Sequence, residues 1–225
     1  MALASTDISN AFLNAELDET RMILLSPPQM LVKMGVVKAG TFWLAAKAVY
    51  GLRESPRLWQ IERDRRLRRL AWEGVAKSKR SLRQSVTHPS LWIIVEDKPN
   101  ENHLDQLPPG RSQWIDTTKY LPSSGLAYLT VYVDDLLFGG PVAECEAAVR
   151  AISTLWKCTT PEIVGKDFKT ESIRYLGVDI EYDAATQGWF VHQMDYTLEV
   201  VGRFSSSYHL GQKGAPGPHE SLDHQ

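Results

Sequence analysis

The sequence predicts an α+β fold in which an antiparallel sheet is backed by helices. Strand-like apolar residues dominate 91–95 and 126–138, the second run holding Tyr128, Leu129, Val131, Leu136, Leu137 and Phe138. Apolar residues at helical spacing mark 57–70, through Trp59, Leu67 and Leu70, and 142–156, through Val142, Cys145, Val149, Ile152 and Trp156. The second apolar run is broken by Tyr132-Val133-Asp134-Asp135 and closed by Gly139-Gly140. Strands are depleted in aspartate, so the pair is placed at a tight bend between two antiparallel strands, aimed toward one spot.

Adjacent carboxylates need a physical reason. At about 4 Å two like charges repel by about 4 kcal/mol when the effective dielectric constant is near 20, and a bound cation reverses that penalty. Neighbouring residues of a strand point to opposite faces, so a further ligand has to come from a different strand. Asp7 is the best candidate. It lies in Ala4-Ser5-Thr6-Asp7-Ile8-Ser9-Asn10, which begins as a strand and turns into a helix that Ser9 or Asn10 is available to cap. Three acids from two strands fit two-metal phosphoryl transfer, with ions about 3.5–4 Å apart activating a hydroxyl and stabilising the departing oxygen. Two Mg2+ ions are expected, with Mn2+ as a substitute.

Four separated blocks then carry a family resemblance. They are Asp7-Ile8-Ser9-Asn10-Ala11-Phe12-Leu13-Asn14, Tyr50-Gly51-Leu52-Arg53-Glu54-Ser55-Pro56-Arg57-Leu58-Trp59, Tyr132-Val133-Asp134-Asp135-Leu136-Leu137 and Tyr175-Leu176-Gly177-Val178-Asp179-Ile180. In this order they resemble the reverse transcriptase of copia-type long-terminal-repeat retrotransposons, over most of the chain to about Phe204. The resemblance implies a right-hand polymerase palm. Residues 1–20 would carry the first metal-binding strand, 21–50 partial fingers, and 51–182 the palm with an inserted loop at 98–124. Residues 183–204 would form the primer-grip hairpin and the start of a thumb, and 205–225 a disordered tail.

The resemblance also implies roles. Asp7 and Asp134 would be the main ligands of both metals, with Asp135 further out. Phe12 would sit under the incoming sugar and exclude a 2′-hydroxyl sterically; as a phenylalanine it is equally at home in the core. Tyr132 and Gly51 would border the nucleotide, glycine because it permits close backbone approach. Arg53 and Arg57 would face phosphates or remain solvated surface charge. Leu176 and Gly177 would help hold the primer end, or form an ordinary hairpin. Glu54 departs from the glutamine usual in the family and brings a carboxylate toward an anionic ligand. The implied partners are an RNA or DNA template with primer, deoxynucleoside triphosphates, and the remaining Pol segments such as RNase H and integrase, which performs DNA integration.

Other features agree with that setting. Between Arg53 and Arg83 there are eleven Lys or Arg against four Asp or Glu, in a chain of formal net charge -2. Such a strip beside a metal site fits contact with a nucleic-acid backbone, and it fits a solvated face as well. Ser55-Pro56 supplies a cap and a first-turn proline for the helix that follows. Residues 173–182 and 188–193 read as two strands, and Met194, Leu198, Val201 and Phe204 as a helix. Cys145 and Cys158 lack the spacing of a zinc site or disulfide scaffold, which fits an intracellular location, cytoplasmic or in a virus-like particle. No uninterrupted apolar run is long enough to cross a membrane, so no membrane partner is expected.

The first metal-binding aspartate stands almost at the start of the chain, so the amino-terminal fingers are expected to be missing, and no RNase H segment is expected after the short thumb. Positive groups over the triphosphate would be lost with them, and a weakly active or inactive fragment follows. Lys166 and Lys169 are conceivable proton donors to pyrophosphate, with surface lysine the simpler reading. Alternatives to a polymerase are a catalytically silent remnant that still binds nucleic acid, and an unrelated fold with a structural turn at Asp134-Asp135.

Overall fold

Residues 127–132 and 135–140 alternate buried and more accessible positions, and this period of two folds them into a hairpin with one face turned to the core. In the computed structural model, which describes residues 1–17, 22–75, 77–96, 125–166, 168, 170 and 172–207, that hairpin is part of a larger sheet. The elements in chain order begin with β1 (Ala2–Asp7), a single 3₁₀ turn (Ala11–Asn14), β2 (Leu24–Leu25), α1 (Gln29–Lys33) and β3 (Trp43–Leu44). Next come α2 (Ser55–Arg69), β4 (Ala71–Glu73), β5 (Lys79–Gln84), β6 (Leu91–Glu96), β7 (Ala127–Tyr132), β8 (Asp135–Gly140) and α3 (Val142–Ile152). The remainder is β9 (Glu162–Gly165), β10 (Ser172–Tyr175), β11 (Val178–Asp183), β12 (Gly188–His192) and α4 (Met194–Ser207).

Seven strands form one antiparallel sheet in the order β4-β5-β6-β7-β8-β1-β9. The first strand of the chain is therefore inserted between β8 and β9, far from its sequence neighbours. Gly140 shows why the β8 end is glycine: a Cβ there would stand 2.5 Å from that of Ala127 on β7. A second antiparallel sheet has the order β10-β11-β12, and β2 pairs with β3 alone. The α+β expectation thus holds as a large antiparallel sheet with few helices.

Apolar periodicity decides what covers each face. Ala4, Trp92, Ile94, Leu129, Val131, Leu136 and Phe138 are buried in one cluster with Trp59 and Leu67 of α2 and with Cys145, Ala148, Val149 and Ile152 of α3. Each fully buried large side chain contributes about 1.5–3 kcal/mol, so this seam holds the helices to the sheet. Leu3 and Leu137, one position out of phase, join Val164 and meet Ile173, Tyr175 and Ile180 of the smaller sheet. Arg80 of β5 is buried against Glu144 of α3, Nη2 to Oε1 at 2.9 Å, and adds a charged tie.

Several local expectations are corrected. Residues 173–182 are two strands, because Leu176 (φ 51°) and Gly177 (φ 79°) both enter the left-handed region and turn the chain back. The helix after Gly140 ends at Ile152, four residues short of Trp156. Ser153 Oγ donates to the Val149 carbonyl at 2.8 Å and Thr154 Oγ1 to that of Ala151 at 2.7 Å, competing with the helical ladder. Neither Ser9 nor Asn10 caps a helix: Asn10 is itself left-handed (φ 54°) and only one 3₁₀ turn follows. Ser55 is the first residue of α2 and its Oγ donates backwards to Val49 O at 2.6 Å, so it is no cap. The α4 helix runs on to Ser207, inside the expected tail. The loop expected at 98–124, the tail beyond 207 and Lys169 lie outside the described residues.

Candidate functional site

Strand register brings the acids together. Asp7, the last residue of β1, is the direct antiparallel partner of Asp135, the first residue of β8. Tyr132 pairs with Asp135 across the hairpin, leaving Val133 and Asp134 as a two-residue turn. The backbone of that turn is held at both carbonyls. Ile8 N–H donates to Asp134 O at 2.9 Å, and the indole N–H of buried Trp59 donates to Val133 O at 2.7 Å. Val133 has φ 53°, a conformation that costs a β-branched residue about 1–3 kcal/mol and persists only where surroundings impose it. The surroundings here are Trp59 and the β1 end.

The electrostatics follow from this closeness. Burial pushes the Asp135 carboxyl up to about 6, aided by a hydrogen bond with the Asp7 side chain and by the charges of Asp134 and Asp7. Asp135 thus holds a proton more tightly than an ordinary carboxyl when no cation is present. Nearby, Tyr175 is buried with no hydrogen-bond partner for its hydroxyl among the described residues, and burial, then the charge of Asp135, push it up to about 12. The thiols are not activated nucleophiles. Burial pushes Cys145 up to about 11 and raises Cys158 as well.

The donor set is three hard carboxylate oxygens, the kind that suits Mg2+ or Mn2+, and a cation would relieve the crowding that raises Asp135. Even so, among the described residues no three His, Cys, Asp or Glu side chains stand gathered as an ion cage. Asp7 and Asp135 meet; Asp134 sits one residue away in the turn. Asp135, expected further from the metals than Asp134, is the closer neighbour of Asp7.

The other expected residues are placed as follows. Phe12 is half-buried, packed on the core and edge-on to Tyr50 with ring centroids 4.6 Å apart, so the first and second blocks touch. Gly51 has φ 91° and open space where a Cβ would be. Tyr132 is exposed. Arg53 and Arg57 are exposed at the entrance to α2. Leu176 and Gly177 form the β10–β11 turn, and the Gly177 carbonyl accepts from Gln193 Nε2 at 3.3 Å. Lys166 is exposed.

The basic strip is corrected at two of its positions. Arg63 (5% exposed) holds Asp64, and Arg80 (4% exposed) holds Glu144, so neither reaches a ligand. Arg65 and Arg66 both pair with Glu62, and Arg68 donates to Gln84 and lies over Trp92. A guanidinium with five donors on an aliphatic stem is well suited to such inward pairing, which counting charges overlooks.

Two residues escaped the sequence reading. Helical spacing places Trp59 only on a packing face and gives Thr159 no role; the Thr159 hydroxyl accepts from Asp7 N–H at 2.9 Å. No sequence signal marks Thr159, because the contact spans 152 positions.

No known family model matches the chain, and no curated protein matches it. No helix among the described residues is long and apolar enough to cross a membrane.

Proposed function

We propose that the chain is the palm portion of a copia-type reverse transcriptase, an RNA-directed DNA polymerase that extends a primer by two-metal nucleotidyl transfer. The observation that carries this reading is the register pair Asp7–Asp135 with Asp134 in the adjoining turn, acids from remote positions at one strand end. Bound Mg2+ would supply activation of the primer hydroxyl and neutralisation of charge on the phosphates. The chain's own residues do the rest. Asp7, Asp134 and Asp135 hold the ions, while Trp59 and the strained Val133 fix the turn that presents Asp134. Phe12, edge-on to Tyr50, limits the space under the sugar. Arg53 and Arg57 meet the template backbone, and Leu176-Gly177 the primer end. In this reading 21–50 is partial fingers, α4 begins the thumb, and the partners are primed RNA or DNA and deoxynucleoside triphosphates.

A second reading, a catalytically silent remnant that binds nucleic acid, is favoured by one observation: the three carboxylates are not gathered into a cage. Primer extension on an RNA template with Mg2+ separates the two. The polymerase reading predicts weak incorporation that Asp134→Ala abolishes. Equal incorporation by both proteins rules the chemistry out, and no incorporation with retained oligonucleotide binding selects the silent remnant.

A further inference from the structure

Asp7 stands where its sheet neighbour runs out. On the side of β1 away from β8, strand β9 pairs only with Ala2 to Ser5, leaving Thr6 and Asp7 beyond its end. Thr159 takes over there. Asp7 N–H donates to Thr159 Oγ1 at 2.9 Å, Thr159 N–H donates to Asp7 O at 2.9 Å, and buried Thr6 donates through Oγ1 to Thr159 O at 2.8 Å. The two hydroxyl oxygens are themselves 3.2 Å apart. One residue on, Ile8 is bridged to Cys158, and Ser9 N–H donates to Lys157 O at 2.8 Å.

The Asp7 amide therefore bonds to a side chain rather than to a ladder carbonyl. A strand end left to water frays, and its carboxylate then samples many directions. A hydroxyl that takes the amide proton, held by a second, buried threonine, fixes the Asp7 backbone and hence the direction in which its short side chain leaves.

We propose that Thr159, braced by Thr6, is a positioning residue that sets the Asp7 carboxylate for the cation. This rests on the cation-binding reading above. Outer partners of metal ligands are worth about 10–100-fold in affinity, and a partner acting through the backbone belongs at the lower end.

The test is Mn2+ affinity of the full chain, read from the electron paramagnetic resonance signal of free Mn2+, beside the melting temperature of the metal-free protein. Thr159→Val keeps the shape and removes the acceptor, while Thr159→Ser keeps the hydroxyl. Expected are an affinity about 10-fold weaker in Thr159→Val, within about twofold of wild type in Thr159→Ser, and metal-free melting changed by no more than about 2–4 °C. Wild-type affinity in Thr159→Val overturns the assignment, whether or not melting falls. Equal loss in both variants overturns it too, because the hydroxyl is then not the determinant. Asp134→Ala serves as the control: if it binds Mn2+ like wild type, the cation site itself is wrong and the positioning role falls with it.

Discussion

The indole N–H of Trp59 donates to the carbonyl of Val133 across 2.7 Å, so the start of α2 is pinned to the turn that carries Asp134. Trp59 is 1% exposed and stacks edge-on against Trp156 at 5.3 Å. Removing its donor leaves a partly buried carbonyl unpaired and frees a backbone conformation that valine does not favour. Trp59→Phe, which keeps an aromatic ring, is expected to lower stability by about 2–3 kcal/mol in denaturant melts. It is also expected to weaken Mn2+ binding. A variant destabilised to that degree but with unchanged Mn2+ affinity would mean that Trp59 packs the core without presenting Asp134.

Asp135 gives the protein a pH dependence of definite sign. Its folded-state value is raised from 3.8 to about 6, so the folded state holds the proton more tightly than the unfolded chain. That contribution is fully present below 3.8 and is lost as pH rises through about 6. Asp135→Asn removes the loss. At pH 8 without cations the variant is expected to melt about 2–4 °C above wild type, a difference that vanishes near pH 4. Added Mn2+ should raise the wild type alone at pH 8; a wild type that melts below the variant by the same margin at pH 4 shows no proton linkage and refutes the assignment.

Salt dependence of oligonucleotide binding distinguishes the accessible arginines from the engaged ones. Arg53→Ala and Arg57→Ala should each weaken binding across sequences and reduce the slope of log affinity against log salt by about 1. Arg63 and Arg80, buried against Asp64 and Glu144, are expected to leave the slope unchanged when substituted. A slope unchanged in both surface variants would take the α2 entrance out of the interface.

Much of the sheet was legible because alternation and β-branched residues report a half-buried strand wherever it pairs. The hairpin at Asp134 and the faces of α2 and α3 follow from such local periodicity, and β6 from an unbroken apolar run that is buried on both faces. Leu176-Gly177 was misjudged because leucine seldom takes a positive φ, so the pair read as continuous strand rather than a turn. The end of α3 depended on hydroxyls bonding back to carbonyls, a choice that the apolar stripe through Trp156 conceals. Within the site, Asp7 and the acid turn were found from the chemistry that adjacent carboxylates demand. Their register was not, since pairing β1 with β8 is a decision of the whole sheet. Thr159 and the inward-turned Arg63 and Arg80 depend on long-range contacts for the same reason.

The most direct test is a double-mutant cycle in Mn2+ binding, comparing wild type, Asp7→Asn, Asp134→Asn and the double variant. If both carboxylates act on shared cations, either single change should remove most of the affinity and the second should add little, giving a coupling of about 0.5–3 kcal/mol. Fully additive losses, or single variants that bind as tightly as wild type, would contradict a common site at the end of β1 and the β7–β8 turn.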